Sequence, residues 1–246
     1  MAKLVQKSGY IKSGKASGYM RYIATREGVE KLAGNGSVTK GQRELIQKLL
    51  TDFPDAVELF EYEDYCKTPT LGTASAFITM ALDANLHGID SESGYMQYIA
   101  TRPRVQKYGS HGLFSSATAV DIASAMSELE AHEGNVWTII YSLRREDAAR
   151  LEFDNADAWR TLLMENAPTL AKSMKISLDN FHWYAAFHDE GHHPHIHMMV
   201  WSDDPKEGFL TKDGIAAMRS KLTNAIFQDE MQQIYERKDV AYSDLV

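Results

Sequence analysis

Ten residues, His188-Asp189-Glu190-Gly191-His192-His193-Pro194-His195-Ile196-His197, hold five of the chain's nine histidines and constrain its fold more than any other stretch. His195 and His197 flank one apolar residue and run into Met198-Met199-Val200-Trp201, the pattern of a buried strand in which positions i and i+2 share a face. Both imidazoles then converge on one place. His188 closes a second β-rich run that begins at Phe181, and Gly191 with Pro194 marks a turn between the runs. Antiparallel pairing across that turn brings His188 beside the pair. Three imidazoles on one face make a metal site with open positions, whereas structural zinc sites are closed by four protein ligands. A merely solvated, polar turn does not account for strand-phased histidines that continue into an apolar run.

Two other histidine patterns do not fit. A cupin site carries a glutamate shortly after its His-x-His, and here Met198, Met199, Val200, Trp201 and Ser202 follow. A zincin needs His-Glu-x-x-His on a helix, which Asp189-Glu190-Gly191-His192 does not supply. The stretch resembles the His-hydrophobe-His motif of the HUH endonucleases, and most closely that of the plasmid-mobilisation relaxases of the P class. Their pattern is His-x-Asp or His-Asp, a short turn, then His-x-His. The resemblance implies that His188, His195 and His197 are metal ligands and that the ion is Mg²⁺ or Mn²⁺.

At 246 residues and 44% hydrophobic content the chain can bury one substantial core, so one domain, or one with a large insertion, is expected. A single cysteine, Cys66, excludes a disulfide framework and fits a reducing cytoplasm. No apolar run approaches a membrane span, and Met1-Ala2-Lys3-Leu4 lacks a signal-peptide core, so a soluble, intracellular protein is expected. The net charge of −8 argues, taken alone, against a protein that coats nucleic acid. Its distribution says more. Residues 1–48 hold ten Lys or Arg against Glu27, Glu30 and Glu44, whereas residues 49–66 hold six acidic residues and no basic one. The basic arm, interleaved with glycines and aromatics, reads as a phosphate-binding segment. The acidic run reads as a solvated face.

The phrase Ser17-Gly18-Tyr19-Met20-Arg21-Tyr22-Ile23-Ala24-Thr25-Arg26 returns at Ser93–Arg102, and eleven of fifteen positions match between Ser17–Lys31 and Ser93–Lys107. Nothing repeats a third time, so this is one duplicated element and not a solenoid. Helical spacing places Tyr19, Tyr22 and Arg26 on one face, and Tyr95, Tyr98 and Arg102 likewise. Strands are predicted at 4–11 and 135–143, in addition to the two histidine-bearing runs. Helices are predicted near 40–50, 74–86, 119–131 and 157–174, and from 211 to about 237. Gly109-Ser110-His111-Gly112-Leu113-Phe114 is read as a loop and Arg144-Arg145 as a basic turn. The order implies an α+β fold, an antiparallel sheet carrying the His-x-His motif with helices on one face. Residues 32–92 read as a helical insertion.

The same order resembles the relaxase catalytic domain. That resemblance implies cleavage of single-stranded origin-of-transfer DNA by a tyrosine nucleophile, with a 5′-phosphotyrosine link. Tyr22 matches the nucleophile by its place after the first strand, and Tyr98 by its distance from the histidines; Tyr19 and Tyr95 are secondary candidates. Arg21, Arg26, Arg102, Arg104, Lys107 and His111 are the expected DNA contacts. Accessory DNA-processing proteins and a coupling protein in a bacterial cytoplasm are the implied partners. A rolling-circle replication initiator shares this chemistry, and a catalytically silent single-stranded DNA-binding module is the alternative from another class.

Overall fold

Apolar runs of strand length alternate with amphipathic segments of helix length, and the fold they form is α+β. The computed structural model describes residues 3–10, 36–85, 96, 99–100, 105–107, 111–117, 119–132, 134–189 and 191–228. Strand β1 (Val5–Tyr10) is followed by three helices, α1 (Lys40–Asp52), α2 (Phe60–Lys67) and α3 (Leu71–Asn85). Then come β2 (Leu113–Phe114), α4 (Ile122–Glu130), β3 (Trp137–Ser142), α5 (Arg145–Arg150) and α6 (Ala156–Ser173). Strands β4 (Phe181–His188) and β5 (His195–Ser202) form the histidine hairpin, and α7 (Lys212–Ile226) follows. The sheet is antiparallel with order β1-β3-β5-β4-β2.

Several helix starts are written in local chemistry. Thr39 and Gln42 form a reciprocal capping box at α1, Asn155 caps α6 by accepting from the Ala158 amide, and Thr211 caps α7. Other elements depart from the sequence reading. The acidic run contains α2, the turn at Arg144-Arg145 opens α5, and the loop after His111 pairs as β2 with β4. Among the described residues α7 ends at Ile226, and residues 229–246 lie outside them.

Helices cover both faces of the sheet, not one. Ile139, Trp183, Phe187 and Met198 face one side, where Trp159 and Leu163 of α6 and Met218 and Leu222 of α7 pack. On the other side Val5 and Ile140 meet α1 and α3, while Ala186, Met199 and Trp201 meet Ile99, Ala125 and Leu129. The reason lies in β5, whose eight residues are all buried. A central strand apolar on both faces has to be covered on both, and one helical layer cannot do that. The two clusters on the second side leave between them the part of the sheet that carries the histidines.

Lys7 points to this second side and is buried, paired with the exposed carboxylate of Asp55. Burial lowers its ammonium below the ordinary lysine range, and Asp55 offsets only part of that. A buried cation whose partner sits in water is a cost to the fold, and removing it strands no buried charge. Lys7→Met is therefore expected to stabilise the protein by about 1 kcal/mol. In a thermal melt this corresponds to a rise of about 2–4 °C for a chain of this size.

Candidate metal centre

His188 ends β4, and His195 and His197 lie on β5, in a register that sets His188 opposite His195 and Ala186 opposite His197. All three imidazoles therefore occupy the same face, and all are fully buried. One ring nitrogen from each lies within 4.8 Å of those of the other two. Ring centroids are separated by 5.2 Å for His188–His195, 4.6 Å for His188–His197 and 5.1 Å for His195–His197. Backbone carbonyls select the tautomers of two of them. His188 Nε2 donates to the Ile99 carbonyl at 2.9 Å, and His195 Nδ1 donates to the His193 carbonyl at 3.0 Å. The lone pairs are thereby placed on His188 Nδ1 and His195 Nε2, the orientation that carbonyl-bonded metal ligands adopt. Three buried imidazoles so disposed fit a divalent ion, and fewer than four protein ligands leave room for substrate oxygens.

Described residues of the second copy of the duplicated phrase meet this centre, the Ile99 carbonyl and Val105 both at His188. Met96, Ile99 and Ala100 are helical and fully buried. Val105 bridges to His188, and the Gln106 amide donates to the Phe187 carbonyl at 2.9 Å. Gly112 closes the approach, because its amide bonds the Ala100 carbonyl and a Cβ there would lie 2.0 Å from Val105 Cγ2 and 3.2 Å from two carbonyl oxygens. Tyr98, Tyr95, Arg102 and Arg104 lie outside the described residues, as do Tyr19, Tyr22, Arg21 and Arg26.

A family model described as MobL relaxases matches residues 1–246. The chain belongs to that family. No curated protein and no solved structure matches it. Membership makes the chain a relaxase, a DNA-nicking enzyme that would bind single-stranded DNA, and relaxases use a metal, which the buried triad could hold. No helix among the described residues of this relaxase is long and apolar enough to cross a membrane.

Of the expected DNA contacts, Lys107 is exposed. His111 is buried instead; its Nδ1 accepts from the Leu113 amide and its Nε2 donates to the Val120 carbonyl, so the ring ties its own loop together. The basic arm is partly neutralised within the fold. Lys3 pairs with Glu63, Lys7 with Asp55, Lys40 with Glu44 and Lys48 with Asp52, while Lys12, Lys15, Arg21, Arg26 and Lys31 lie outside the described residues.

The acidic run is not simply a solvated face, since it contributes to the rim of the histidine centre. Asp64 Oδ2 accepts from His193 Nε2 at 2.8 Å, and Arg144 bridges Asp64 and Glu63 at 3.2 and 2.9 Å. Sequence reading missed Asp64 because it is 129 residues from His193. Burial alone would raise the Asp64 and Glu63 carboxyls. For Asp64 the His193 ring and Arg144 outweigh it, and for Glu63 Lys3 and Arg144 do, so both ionise below the ordinary carboxylate range. Groups with depressed folded values contribute stability above their unfolded values, and that contribution is lost as pH falls through the folded ones. Denaturant unfolding is therefore expected to show stability falling below about pH 4, and to fall less steeply in a Glu63→Gln, Asp64→Asn double variant.

Proposed function

We propose that this chain is a P-class relaxase of the HUH endonuclease superfamily, a site- and strand-specific nickase of single-stranded origin-of-transfer DNA. The observation that carries the reading is the buried three-imidazole face, with its tautomers set by backbone carbonyls, in a chain of the MobL relaxase family. His188, His195 and His197 are the proposed ligands. Of Mg²⁺ and Mn²⁺ the nitrogen donors favour Mn²⁺, because Mg²⁺ prefers oxygen ligands. When bound, the ion supplies charge neutralisation at the non-bridging oxygens of the scissile phosphate.

The chain's own contribution is the nucleophile and its placement. A tyrosine hydroxyl attacks the phosphorus, the bond to the 3′ oxygen breaks, the phenolic proton ends on that oxygen, and a 5′-phosphotyrosine link keeps the phosphoester for rejoining. Tyr98 is the proposed nucleophile, because its covalent neighbour Ile99 is bonded through its carbonyl to His188. Tyr22, in the other copy, is assigned to strand guidance. Lys107 with Arg21, Arg26, Arg102 and Arg104 is proposed to contact the DNA, in one catalytic domain with residues 32–92 as a helical insertion. The family match favours mobilisation over rolling-circle initiation. The setting is a bacterial cytoplasm, with accessory DNA-processing proteins and a coupling protein.

The test is incubation with labelled single-stranded origin DNA and Mn²⁺, followed by a denaturing gel. A covalent adduct is expected with wild type and with Tyr22→Phe, and none with Tyr98→Phe. An adduct that persists in Tyr98→Phe and vanishes in Tyr22→Phe would reverse the assignment. Loss of adduct is also expected for His195→Ala and His197→Ala, with circular dichroism close to wild type. DNA affinity is expected to fall steeply between 50 and 200 mM salt despite the acidic total, since each phosphate contact releases a counterion; a flat response would remove the phosphate-contact assignments.

A further inference from the structure

Among the side chains surrounding the triad, Asp64 stands out, because it reaches the histidine turn from an element that the chemistry above does not use. Its carboxylate accepts from His193 Nε2 at 2.8 Å, and the same His193 presents its backbone carbonyl to His195 Nδ1 at 3.0 Å. We propose that Asp64 is a positioning residue for the metal centre: by holding the His193 ring it fixes the carbonyl that sets the tautomer and direction of His195.

Three further observations support the coupling. First, His193 precedes Pro194, and a residue before proline is biased to extended backbone, so once the residue is held by its ring its carbonyl has few directions open to it. Second, the ring is clamped on both its edge and its face. It is buried and stacks on Phe60 of α2 with centroids 5.2 Å apart and planes 22° apart, and Arg144 lies over that same Phe60 ring, its Cζ 4.6 Å from the centroid. Third, the turn is strapped at its other points. The His192 carbonyl accepts from the Arg145 amide at 2.9 Å, and the Pro194 carbonyl accepts from the Leu143 amide at 3.2 Å. In this turn Asp64 holds the ring of the same residue whose carbonyl orients His195. Partners that orient a ligand in this indirect way commonly change metal affinity when removed.

The inference rests on reading the triad as a metal centre, and the experiment separates the two. Mn²⁺ binding to the full chain is measured by electron paramagnetic resonance, without DNA, for wild type, His197→Ala, Asp64→Ala, Asp64→Asn and Glu63→Ala. His197→Ala is expected to abolish binding at the site. Asp64→Ala is expected to weaken it about 10- to 100-fold. Asp64→Asn keeps an acceptor oxygen and is expected to recover most of the affinity, and Glu63→Ala, which shares Arg144 but does not touch His193, to bind as wild type does. If Asp64→Ala does not fold, His193→Phe replaces it, keeping an aromatic ring on Phe60 while removing both ring nitrogens, among them the Nε2 that meets Asp64; the same loss is expected. Wild-type affinity in a folded Asp64→Ala or in His193→Phe, with His197→Ala defective, overturns the positioning role alone. Wild-type affinity in His197→Ala overturns the metal centre and the positioning role with it.

Discussion

The centre of this protein depends on the register of one hairpin. With His188 opposite His195 and Ala186 opposite His197, three imidazoles share a face of the sheet in its buried middle. A slip of one residue would send His195 and His197 to the opposite face, among Ile139, Phe187 and Trp159. Burial on both faces of β5 forbids that slip, because it would move Ile196 and Met198 out of one core and two polar rings into it. The apolar packing that stabilises the fold is therefore the same constraint that aligns the ligands.

Burying three imidazoles requires a partner for each polar edge. Two of them use backbone carbonyls, from Ile99 and His193, and these tie the centre to two separate parts of the chain. Ile99 belongs to the second copy of the duplicated phrase, which carries the proposed nucleophile one residue away. His193 belongs to the turn that α2 holds through Asp64 and Phe60. The elements between β1 and β2 are thus joined to the site by specific bonds as well as by their apolar faces. The charge pattern has a related explanation: the acidic run and part of the basic arm meet each other in the fold, at Lys3–Glu63 and Lys7–Asp55. The count of basic residues in 1–48 therefore overstates the positive charge available to DNA.

What the sequence determined was local. The period-2 phasing of His195 and His197, the turn at Gly191 and Pro194 and the helical pattern at 157–174 each arise from residues within one or two turns or strands of one another, and all are legible without the fold. Four of the strands, five of the helices, the α+β class and the three-histidine face followed from such patterns, whereas β2, α2 and α5 did not. The sequence also showed the duplication, though not which copy reaches the histidines. Only the tertiary structure decided the rest: the cover on both sheet faces, the helix within the acidic run, the closed loop of His111, and the bonds of His188 to Ile99 and of His193 to Asp64. The two bonds that frame the centre span 89 and 129 residues. Periodicity and turn chemistry act over a few residues, whereas these partners are brought together only by the tertiary arrangement of the sheet and its two coats, so no local pattern could name them.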